Sequence, residues 1–130
     1  MHRIPWDPSW PALAIAEGLS RIPVETLRAL YAFAGTHPEV VDYIPCFCGC
    51  RGQGHGSSAD CYVKHRSAEG YVTEWETHAL VCPLAPDIIG DVILWREKGR
   101  SLLSIRQDID REYAQRGPAT PTAEPPPSDR

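Results

Sequence analysis

The chain has 130 residues, a formal net charge of −4, and thirteen prolines, ten glycines and five cysteines. Its basic residues are scattered rather than banked on one face, which excludes the electrostatic footprint of a nucleic-acid binder. No segment is apolar for long enough to span a bilayer, and the length suits a single domain with one core.

The first eight residues, with Pro5, Trp6 and Pro8, read as an irregular arm. Ser9 is placed to cap a short helix through Leu13, Ile15 and Leu19. The surrounding stretch is broken by Pro11 and Glu17 and carries no cleavage pattern. As it stands the sequence reads as cytoplasmic, and as exported or membrane-anchored if a leader has been removed. Pro23 opens a second helix, in which Val24, Leu27, Leu30, Tyr31 and Ala34 recur at helical spacing before Gly35. Pro38 starts a third, short helix that ends before Pro45. The stretch CFCGCRGQGHGSSAD is too rich in glycine for a helix or sheet interior and reads as a loop whose backbone can approach a ligand closely. Ser57 or Ser58 then caps a helical segment carrying Asp60, Cys61, Tyr62 and His65.

Residues 70–79 are open between a short extended piece and a loop. Beyond Pro83 the stripe Leu84, Ile88, Ile89, Val92, Ile93 and Trp95 predicts a helix ending near Gly99. Ser101 caps a last helix with Leu102, Ile105, Ile109 and Tyr113 on one face, and the two are expected to pack as an antiparallel hairpin. Its charges, Arg96, Lys98, Arg100, Arg106 and Arg111 among Glu97, Asp108, Asp110 and Glu112, read as an ordinary solvated surface. From Gly117 onward the chain has five prolines and no large apolar side chain. The expectation is therefore an all-α fold: one small helical domain over residues 1–116 with a Cys/Gly-rich metal-binding loop and a C-terminal helical hairpin, followed by a disordered proline-rich tail, 117–130.

All five cysteines, Cys46, Cys48, Cys50, Cys61 and Cys82, lie in one part of the chain, and their odd number weakens a pure disulfide scaffold. In a flat strand the first three thiols would point to one side. Even in a loop, thiolates this close repel unless a cation or a disulfide relieves them. Soft ions such as copper(I), zinc(II) and mercury(II) accept such donors. With His55 and His78, the candidate metal ligands number more than the four of a tetrahedral zinc site, which leaves room for a small copper(I) thiolate cluster. The CxCxC spacing is not that of a zinc finger. Asp60 is placed either to orient a histidine ligand or to cap its local helix. The glycine run lacks the Lys-Ser/Thr of a phosphate loop, HExxH is absent, and no CxxC pair occurs, so an enzymatic role is disfavoured, with thiol exchange as its strongest form.

The stretch from Leu27 to Val63, with Pro45, Cys46-Phe47-Cys48-Gly49-Cys50, Gly54-His55, the serine pair and Asp60-Cys61-Tyr62, resembles a family of bacterial proteins described by a PCYCF motif, whose biochemical function is uncertain. The likeness continues through Thr77-His78-Ala79, Cys82 and the closing helix to Tyr113. Two positions depart from the family pattern: Arg51 stands where a glycine follows the third cysteine, and Ala85 where a further downstream cysteine is expected. The resemblance implies members that are often lipoproteins and adds little about activity. The residues themselves favour a soft-metal protein, copper(I) ahead of zinc(II), serving homeostasis, storage or transfer with a metal-donor or acceptor protein as partner. A structural zinc module for protein interaction and a thiol-dependent redox protein are the alternatives.

Overall fold

The computed structural model describes residues 4–15, 21–47 and 54–129. Helix α1 runs from Val24 to Thr36, its entry set by Pro23, whose fixed φ of −56° suits the residue before a first turn. Most of its circumference is covered, with Leu27, Leu30, Tyr31, Ala32 and Ala34 all buried, so it is a central helix rather than a surface one. Pro38 opens α2, Pro38–Val41, and the chain then turns through Ile44 into Pro45-Cys46-Phe47.

The expectation of an all-α fold needs correction. Ser57 does cap a short element, its hydroxyl accepting from the Ala59 N–H at 3.2 Å, but that element is a single 3-10 turn, Ser58–Cys61. The chain then leaves as a strand, β1 (Val63–Arg66), which pairs antiparallel with β2 (Val72–Trp75) in an irregular register that sets Val63 opposite Trp75. Ser67 and Gly70 close the intervening turn, Gly70 at a φ of +92° that only glycine adopts without strain. His65, expected on a helix, therefore lies on β1 and is exposed. Val63, Val72 and Trp75 bury one side of this hairpin, while the intervening charged side chains face water. That is too little apolar content to announce a strand, and enough to hold one against α1.

The hairpin is fastened at both ends. The Arg66 guanidinium donates to the Gly35 and Ala34 carbonyls at 3.0 and 3.1 Å, satisfying the last turn of α1 with a cation. Trp75 donates its indole N–H to the Pro11 carbonyl at 2.8 Å and packs against Trp6 and Trp10. Residues 11–15 are held by this contact in irregular form rather than in the expected helix, and residues 16–20 lie outside the described residues. Gly35 explains the fit of α1 to the hairpin: a Cβ there would stand 2.8 Å from the Trp75 ring. Gly35→Ala is expected to lower stability by about 1–3 kcal/mol, read as a shift in urea midpoint at constant m-value, because the buried ring has nowhere to move.

Helix α3, His78–Val81, is one turn long. Helix α4, Leu84–Glu97, contributes Ala85, Ile88, Ile89 and Val92 to the core, and Gly99 at φ +80° ends its exit turn. Helix α5, Leu102–Tyr113, starts under the Ser101 cap, whose hydroxyl accepts from Ser104 N–H at 3.2 Å, and packs against α4. No helix among the described residues is long and apolar enough to cross a membrane.

Residues 117–129 are laid back along the domain by polar contacts. Arg106, buried on α5, donates to the Ala123 carbonyl at 2.7 Å and to the Thr122 carbonyl at 3.3 Å. The Asp129 carboxylate takes two bonds from Arg96, at 3.0 and 2.6 Å, and one from the Leu102 N–H at 2.8 Å. These donors hold its carboxyl below the usual carboxylate range, the Arg96 hydrogen bond most of all. The segment has little apolar surface to bury, and hydrogen bonds to a buried arginine and to helix ends supply its contacts with the domain.

Candidate functional site

Ser58 is the residue that brings two cysteines together. Its N–H donates to the Ile44 carbonyl at 2.7 Å and its hydroxyl to the Pro45 carbonyl at 2.8 Å, so the 3-10 turn is sewn to the segment that precedes Cys46. The result places the Cys61 and Cys46 sulfurs 3.3 Å apart, both fully buried and neither in a disulfide with the other. A disulfide would need about 2.05 Å. Two thiolates on one tetrahedral zinc, with Zn–S near 2.3 Å, would stand about 3.8 Å apart. The observed spacing lies between these, nearer to the chelating distance.

His55 Nδ1 lies 3.7 Å from the Cys61 sulfur. Its loop is shaped by Asp60, whose carboxylate accepts the Gly56 N–H at 2.7 Å; that is the work Asp60 does, rather than orienting a histidine. The His78 ring, at the start of α3, meets the His55 ring edge-on with centroids 5.5 Å apart. Burial lowers the pKa of His78, and His55 adds to this, while Glu76 opposes it. A neutral imidazole is the form that can donate a lone pair to a metal. Tyr62, directly after Cys61, is buried and donates to the Ala85 carbonyl at 2.9 Å; burial raises its pKa strongly, with Tyr31 and the two cysteines adding to the effect.

The seven expected ligands thus divide. Cys46, Cys61, His55 and His78 are drawn into one neighbourhood. Cys48 and Cys50 lie outside the described residues. Cys82, directly after α3, is disulfide-bonded, and in that state its sulfur is not a thiolate. Among the described residues no group of three or more His, Cys, Asp or Glu side chains is arranged to hold a metal ion. A cleft of about 520 Å³, walled by Phe47, His78, Cys82, Leu84, Arg116 and Pro118, opens beside this neighbourhood.

Sequence reasoning missed Thr120, and it took Ser58 for a cap candidate and a motif position without seeing that it bridges to the Pro45 and Ile44 carbonyls. Thr120 donates its N–H to the Cys46 carbonyl and accepts the Cys46 N–H on its hydroxyl, both at 3.0 Å. A threonine among prolines carries no signal of its own; only the contact across 74 residues reveals it.

The arrangement defines a small, mostly helical domain that gathers buried cysteine thiols beside two histidines. Over residues 19–127 the chain matches the family described as "Protein of unknown function with PCYCGC motif", and it belongs to that family. It carries the motif as Pro45-Cys46-Phe47-Cys48-Gly49-Cys50, with phenylalanine in the tyrosine position. Comparison with curated proteins and with solved structures returned no match.

Proposed function

We propose that the protein binds a soft metal ion, copper(I) ahead of zinc(II), through Cys46 and Cys61, and serves metal homeostasis, storage or transfer. The observation that carries this reading is the pair of buried sulfurs at 3.3 Å with His55 Nδ1 3.7 Å from one of them. Copper(I) is content with two soft donors, which Cys46 and Cys61 supply, whereas zinc(II) requires four. Full burial of the sulfurs excludes water and oxidants, a condition copper(I) needs more than zinc(II) does.

The test is elemental analysis of the reduced protein, handled without oxygen, after loading with equimolar copper(I) and zinc(II) and removal of loosely held ions. Retained copper with zinc displaced is the expected result. One retained zinc and no copper would make the site structural, and retention of neither would end the metal reading. A thiol-dependent redox role is favoured by a different observation, a disulfide at Cys82 in the same domain as two thiols that form none. It would be supported by reversible oxidation of Cys46 and Cys61 in a glutathione buffer of cellular potential.

A further inference from the structure

We propose that residues 117–129 are a removable cover over the Cys46–Cys61 pair, opening as a unit to admit or release what the thiols hold. The segment crosses the site at two places. Thr120 pairs with both backbone polar groups of Cys46, and Gly117 passes so close to Phe47 that a Cβ would lie 2.5 Å from the Phe47 carbonyl oxygen. Thr122 donates its hydroxyl to the Gly56 carbonyl at 2.7 Å, next to His55, and its oxygen lies 2.8 Å from that of Thr120. One short stretch therefore ties down the cysteine side and the histidine side together.

The attachment is of a kind that comes undone without unfolding the domain. Its prolines at 118, 121, 125, 126 and 127 donate no backbone hydrogen bond, so the segment cannot extend into a regular ladder. It is fastened instead at discrete points: Thr120 and Thr122 over the site, Arg106 beneath, and Asp129 on Arg96 and the Leu102 N–H at the far end. Segments with few buried apolar contacts open locally at far lower cost than the core. Beneath its root lies the cleft lined by Phe47, His78 and Cys82, which gives the opened site a way out to solvent.

The cover rests on the metal reading only for the identity of what passes beneath it; access to the sulfurs does not. The experiment uses the metal-free full chain and two variants that break the distant anchor from either side, Asp129→Asn and Arg96→Gln. The rate at which an aromatic disulfide reagent labels Cys46 and Cys61 is followed by peptide mass spectrometry, with amide exchange in α4 measured in parallel. Both variants are expected to label about tenfold faster, as loss of a charge-assisted pair implies, while α4 exchange stays unchanged. An unchanged labelling rate in both would overturn the cover, as would acceleration matched by equal acceleration in α4, since the sulfurs would then be reached by global unfolding. Faster labelling in a protein that retains no copper(I) or zinc(II) would leave the cover standing and remove the metal.

Discussion

A Cys61→Ser protein is expected to lose copper(I) and zinc(II) retention, with affinity falling by more than about 100-fold, the upper end of what loss of a supporting second contact costs a metal site. Sulfur is exchanged for a hard hydroxyl that stays protonated at neutral pH, so the described donors near the site shrink from two sulfurs and an imidazole to one sulfur and an imidazole standing apart. The fold is expected to survive. Serine is close to cysteine in volume, and the bonds that sew the 3-10 turn in place come from Ser58 rather than from residue 61. Competition with a chelator of known affinity reads the first effect and a thermal melt the second. Retention at the native level with Cys61 gone would move the site to other thiols.

The largest loss of stability is expected from Arg106→Met, at about 2–4 kcal/mol. The side chain is nearly covered, yet its guanidinium donates to the carbonyls of Tyr43, Thr122 and Ala123 and to the Asp110 carboxylate, at 2.7 to 3.3 Å. Methionine fills much of the same space and offers no donor, so three carbonyls and a carboxylate lose a partner at once. Urea melts give the magnitude, and proteolytic cutting after the α5 helix should report the release of the tail. Arg106→Lys is expected to recover only part of the loss, because a single ammonium cannot face in the directions of a planar fork. A melt within experimental error of the native protein would show that the tail contributes nothing to the fold.

At several helix starts the structure follows a local physical signal in the sequence. Pro23, Pro38 and Ser101 open α1, α2 and α5, and the apolar stripe from Leu84 runs down α4, because a start residue and a periodic face each suffice to define a helix. The hairpin escaped because Val63, Val72 and Trp75 are its only buried residues, and a Ser57 cap precedes a 3-10 turn as readily as it precedes an α-helix. The expected N-terminal helix gave way over residues 11–15 to a contact that no local pattern encodes, the Trp75 indole on the Pro11 carbonyl. At the site, cysteine and histidine announced themselves by chemistry. The hydroxyls of Ser58 and Thr120, which place them, did not, since their importance lies in partners distant along the chain.

The pairing of Cys46 with Thr120 has a consequence for the order in which the protein is made. Seventy-four residues separate them, and synthesis at about 5–20 residues per second delivers the threonine roughly 4–15 s after the cysteine. Throughout that interval the growing chain already contains Cys46, and for much of it Cys61, with no Thr120 to lay across them. Newly made molecules thus pass through a period of open thiols that finished ones do not share, so an ion acquired at birth would be enclosed by a stretch of chain that arrives after both cysteines.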